Sequence, residues 1–97
     1  MELVIFARFR ARDGQEAAVE AALRDVTSIT RDLEPGCIAI APYRSVRDPK
    51  LFFIHSRWVE ESAFELHATL PHTVHFLNRV QPLIDHPLDV NRTVVLA

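Results

Sequence analysis

Two switches of hydrophobic period constrain this chain more than any single motif in it. Residues 3 to 10, LVIFARFR, alternate: Leu3, Ile5, Ala7 and Phe9 fall on one side, Val4, Phe6, Arg8 and Arg10 on the other. Apolar residues at every second position are the pattern of a strand. After Gly14 the spacing becomes helical, with Val19, Ala22, Leu23, Val26, Ile29, Thr30 and Leu33 forming one stripe. Asp13 followed by Glu16 has the spacing of a capping box and predicts that the helix begins there. EPG at 34 to 36 ends it.

The same switch then recurs. CIAIAPYRS, residues 37 to 45, reads as a second strand, and Pro42 within it marks a sheet edge or a bulge, because proline cannot donate a ladder hydrogen bond. LFFIHSRW, residues 51 to 58, is a third strand, with Phe52, Ile54, Ser56 and Trp58 on one face and Leu51, Phe53, His55 and Arg57 on the other. A second helix follows, with Ala63, Leu66, His67 and Leu70 as its inner stripe. Pro71 breaks it and opens a short third helix, since proline is tolerated in a first turn. Residues 87 to 97 read as a fourth strand. The order βαββαβ is the ferredoxin-like arrangement, a four-stranded antiparallel sheet with helices on one face, in a single α+β domain over residues 1 to 97. The opposite face of that sheet is also apolar. With 48% hydrophobic residues in a chain this small, a second copy is the simplest cover, so a homodimer is expected.

Composition excludes several classes. A formal charge of −2 lacks the basic footprint of a nucleic-acid binder. No apolar run reaches membrane-spanning length, and the N-terminus lacks a signal-peptide pattern, so a cytoplasmic protein is expected. Cys37 is the only cysteine, and Gly14 and Gly36 the only glycines, which leaves no disulfide and no phosphate-binding glycine loop.

The chemistry concentrates in ELHATLPHTVHF, residues 65 to 76. His72 and His75 are spaced to chelate, but His67 lies across Pro71, and Glu65 points away from it. Without a carboxylate partner, no metal is expected. His75 reads as a solvated surface residue. His67 faces the apolar stripe and reads either as a satisfied core histidine or as a base able to take a proton from a phenol or carbon acid. Ser56, Arg8 and Trp58 could join it in a small-molecule cavity between sheet and helix.

The segments RDLEPGCIAIAPYRS (31 to 45), LFFIHSRWVEESAFELH (51 to 67) and LPHTVHF (70 to 76) resemble the antibiotic biosynthesis monooxygenase-like family. The resemblance implies a dimeric α+β barrel. It further implies a cofactor-independent monooxygenase that oxidises a small aromatic, quinol- or anthrone-like substrate with O₂. His67 would be the base, Trp58 and Phe76 apolar walls, His72 and Ser56 polar groups, and Arg8 an anion contact. Acid–base isomerisation of a small polar metabolite and non-catalytic binding are the alternatives. The family commonly has glutamate two residues before the tryptophan; here Ser56 stands there, which leaves His67 without that carboxylate. The haem-degrading branch fits worse, because FARFR lacks the asparagine expected on the first strand.

Overall fold

The computed structural model describes all 97 residues. Its elements are β1 (Leu3–Arg10), α1 (Glu16–Leu33), β2 (Cys37–Arg44), β3 (Leu51–Trp58), α2 (Glu61–Thr69), α3 (Pro71–Val80) and β4 (Asp89–Thr93). The strands form one sheet in the order β2-β3-β1-β4, antiparallel at every pairing. This is the ferredoxin-like α+β fold that the period switches predict.

The alternation in β1 sets the layers. Leu3, Ile5, Ala7 and Phe9 are all buried, as are Phe52, Ile54, Ser56 and Trp58 on β3. In the register Leu3 pairs with Trp58 and Ile5 with Ser56, so both inward sets share one face. Val19, Ala22, Leu23 and Val26 of α1 and Phe76 and Val80 of α3 cover that face. Phe9 meets Phe76 edge-on, with ring centroids 5.8 Å apart. Each such large side chain contributes roughly 1.5–3 kcal/mol by leaving water. Pro42 lies on β2, which pairs only with β3 and so is an edge strand; its register slips between Cys37 and Ala39.

Four local expectations are corrected. Helix α1 begins at Glu16 behind Gln15, with no side-chain cap. Gly14 turns the chain at φ 81° just before it, and Asp13 pairs with Lys50 instead of capping. Within α1 the buried stripe includes Thr27 and Thr30, whereas Ile29 and Leu33 face outward. Thr27 satisfies its hydroxyl by donating to the Leu23 carbonyl at 2.8 Å, whereas the Thr30 hydroxyl is buried without a partner. On α2 Leu66 is exposed, and Phe64 turns inward against Trp58, with ring centroids 5.5 Å apart. Strand β4 stops at Thr93, where its pairing with Val4 of β1 ends, and Val94, Val95 and Leu96 run on exposed.

No helix packs on the second sheet face. Phe6 and Tyr43 are half-exposed there, and Phe6 lies against His55 with centroids 5.1 Å apart. No helix of the chain is long and apolar enough to cross a membrane.

Candidate functional site

The site begins with a helix end. The residue before a proline is pushed out of the helical region, so Glu34, preceding Pro35, leaves α1 in an extended conformation (φ −113°, ψ 98°). Its amide still donates to the Thr30 carbonyl at 3.0 Å. Gly36 lets this turn press on α2: a Cβ at that position would stand 2.8 Å from the Cβ of Ala63. The Gly36 carbonyl accepts from the Val59 amide at 3.0 Å, which ties the turn to the entrance of α2. The side chain of Glu34 is thereby buried, with 6% of its surface exposed.

A second break brings up the histidines. Leu70, preceding Pro71, is extended (φ −72°, ψ 147°), and serves both as the end of α2 and as the cap of α3. His67 is in the last turn of α2 and His72 in the first turn of α3. The bend places their rings 6.1 Å apart, centroid to centroid. Both converge on one atom: Glu34 Oε2 lies 2.7 Å from His67 Nδ1 and 2.6 Å from His72 Nε2. An ionised carboxylate only accepts, so these two nitrogens carry the protons and donate to it. Thr73 Oγ1 stands 3.2 Å from the same His67 nitrogen. His67 Nε2 makes no hydrogen bond within the chain, and its lone pair is free.

The His67 ring rests on the Trp58 indole at 4.7 Å and on Phe64 at 5.6 Å. Beside it a cavity of about 230 Å³ opens between sheet and helices. Ile5, Ile54, Phe76 and Val90 are among its predominantly apolar lining residues, and Ser56, Thr73 and His67 are its polar ones. It contains no charged side chain. The arrangement can hold an apolar molecule beside an imidazole whose second nitrogen is held by a buried carboxylate. Such a pair fixes the tautomer of the ring and stabilises its protonated form.

Of the residues singled out in the sequence, His67, Ser56 and Phe76 line this cavity. Trp58 does not: it is wholly buried beneath His67, and its indole N–H donates to Ser56 Oγ at 3.0 Å. His72 also lies off the cavity, behind Glu34. Arg8 is corrected outright, since odd–even alternation puts it, exposed, on the opposite sheet face. His75 is exposed, and Glu65 does point away from His67, toward Arg92. The absence of a carboxylate beside His67 is the largest correction, because Glu34 supplies one. Thr73 was missed as well. The signal for Glu34 was present in the sequence, as the one acid sited between a helix end and a proline, but its role there read only as a stop.

The same carboxylate acts on its other neighbour. Burial first, and the nearby Glu34 charge second, push the Cys37 thiol up to about 11.

Among curated proteins no sequence matches this one. Solved structures do. Rv0793 from Mycobacterium tuberculosis superposes with a TM-score of 0.92 at 25% identity, over 100% of this chain and 97% of its own. PA3566 from Pseudomonas aeruginosa gives 0.90 at 25% identity, over 99% and 95%. A structure described as an antibiotic biosynthesis monooxygenase gives 0.90 at 19% identity, over 98% and 99%, and shares the fold. The profile of one family, antibiotic biosynthesis monooxygenase, matches residues 3–79, a span that contains Glu34, His67, His72 and the whole turn-and-helix framework around them. The chain belongs to the antibiotic biosynthesis monooxygenase family.

Proposed function

We propose that the protein is a cofactor-independent monooxygenase acting on a small aromatic, quinol- or anthrone-like molecule. The observation that carries this reading is the apolar cavity reached by His67 with Glu34 behind it. A phosphorylated or otherwise anionic metabolite would call for arginines in the cavity, and none lines it. The cavity is smaller than most ligand sites, which favours a one- or two-ring quinol over a three-ring anthrone.

His67 Nε2 takes the proton of an acidic phenol or activated methylene. The imidazolium so formed is held by the Glu34 carboxylate through Nδ1–H. The substrate anion is then electron-rich enough to reduce O₂ itself. For an activated CH₂, one oxygen atom becomes the new carbonyl and the other leaves as water with the two hydrogens lost from that carbon; for a hydroquinone, one oxygen atom enters a ring carbon to give a hydroxyquinone and the other leaves as water. The apolar walls keep bulk water away from the anion and its peroxy adduct. Ser56 and Thr73 belong to the cavity wall, with their hydroxyl oxygens engaged by the Trp58 N–H and by His67 Nδ1.

A homodimer joined through the open sheet face accompanies this reading. The half-exposed Phe6 and Tyr43 on that face support it.

Oxygen uptake with a panel of hydroquinones, naphthoquinols and anthrones tests the proposal. Stoichiometric O₂ consumption and a product carrying one oxygen atom from O₂, without release of H₂O₂, are expected from at least one of them. Tight binding of such compounds without any uptake would make the protein a binding module. Proton exchange at carbon without uptake would make it an isomerase.

A further inference from the structure

The geometry points to a second ligand for Glu34, His67 and His72: a divalent transition-metal ion of the zinc class. It would be held by Glu34 Oε2, His67 Nδ1 and His72 Nε2. This goes beyond the proposed oxidation and does not depend on it. These three atoms all lie within 4.8 Å of one another. They belong to side chains that are only 6%, 12% and 13% exposed. Two imidazoles and one carboxylate are a donor set that zinc and its neighbours take with a fourth position left to water.

At present two protons fill the role of the ion. Each imidazole donates N–H to the same oxygen, at 2.7 and 2.6 Å. A tetrahedral ion with bonds of about 2.0–2.1 Å sets its ligands about 3.3 Å apart. Oε2 must therefore draw back by well under 1 Å, which a glutamate side chain does by small rotations. The protons need not leave the protein. His67 moves its hydrogen to Nε2 and His72 moves its own to Nδ1, and each frees a lone pair toward the ion. The two histidines sit on separate helices joined at Leu70 and Pro71, so the bend can take up the remaining adjustment. Magnesium and calcium, which want several oxygens, find only one carboxylate here.

Occupancy has a consequence for the proposed base. An ion on Nδ1 leaves the proton on Nε2, the atom that must accept the substrate proton, so bound metal and base catalysis at His67 exclude each other.

Titration of tag-free protein with Co²⁺ tests the site. One ion per chain is expected, with visible ligand-field bands, displacement by Zn²⁺ and none by millimolar Mg²⁺. Glu34→Gln and His72→Gln should each weaken binding by at least about 10- to 100-fold, the loss that removal of even an outer-sphere partner brings. His75→Ala, on the surface, should leave it unchanged. Imidazole ¹⁵N spectra of the wild type with Zn²⁺ need no variant. Selective shifts at His67 Nδ1 and His72 Nε2 support the site, whereas shifts confined to other histidines overturn it. So do absent binding, equal displacement by Mg²⁺, or affinity unchanged in both variants. If Zn²⁺ binds here and oxygen uptake continues undiminished, the metal site stands and it is the base at His67 that falls.

Discussion

Glu34 and His67 are 33 positions apart in sequence, yet Oε2 of one lies 2.7 Å from Nδ1 of the other, both nearly buried. A carboxylate from the end of α1 thus stands behind a histidine from the end of α2. Ser56 accepts from the Trp58 indole N–H and fixes the floor under the His67 ring.

This pairing makes Glu34 a positioning residue. Glu34→Gln removes the charge that stabilises the imidazolium, and turnover should fall by roughly 10² or more with little change in KM, as expected when an orienting carboxylate behind a catalytic histidine is neutralised. Glu34→Ala also strands two imidazole N–H groups and should destabilise the fold by about 1–3 kcal/mol. Urea titration and steady-state kinetics measure the two effects separately. Unchanged kcat in Glu34→Gln would remove it from the mechanism.

Gly36 holds the Glu34 turn against α2. In Gly36→Ala the new Cβ would lie 2.8 Å from the Ala63 Cβ, and neither atom can swing aside. A loss of about 1–3 kcal/mol is expected from the overpacking. Gly36→Ala combined with Ala63→Gly should recover part of it. A double variant no more stable than Gly36→Ala alone would mean that this contact is not the cause.

Cys37 reports on the Glu34 charge. Its thiol is pushed up to about 11, by burial and then by the carboxylate, so alkylation by iodoacetamide should be slow at pH 8. Negative charge disfavours the thiolate. Glu34→Gln should therefore lower the thiol pKa and speed alkylation, while burial keeps the pKa above its ordinary range. A pH–rate profile identical in the two proteins would mean that Glu34 is uncharged in the fold.

The open sheet face should join two copies. An obligate interface of this kind buries on the order of 2,000 Å² or more. Light scattering at low micromolar concentration should give twice the chain mass. Phe6→Glu, placing a charge on a half-exposed aromatic of that face, should yield monomer. A monomeric wild type would contradict the dimer.

The fold was legible in the sequence because periods two and 3.6 switch cleanly at Gly14, Gly36 and Trp58, the first two at glycine turns. Helix ends were less so. Asp13 has capping chemistry, but Gly14 turns it toward Lys50, a contact that local spacing cannot reveal. Leu66 and Phe64, two positions apart, lie on nearly opposite sides of a short helix, and only the position of Trp58 decides which turns inward. His67 was legible as an inward histidine. Its partner was not, since Glu34 reaches it through two proline-imposed breaks, after α1 and before α3, whose combined geometry no single segment encodes. Arg8 could have been excluded by its own alternation with Ala7 and Phe9.

The base at His67 is the central claim, and it is tested most directly by oxygen-uptake kinetics of His67→Ala beside the wild type, with melting curves of both recorded in the same buffer. A folded variant whose kcat falls by about 10²- to 10⁴-fold is predicted, the range for loss of a general base. His75→Ala, exposed on α3, should keep wild-type turnover. A His67→Ala protein that melts several degrees lower yet turns over substrate at the wild-type rate would contradict the account, and would leave His67 as a packing residue against Trp58.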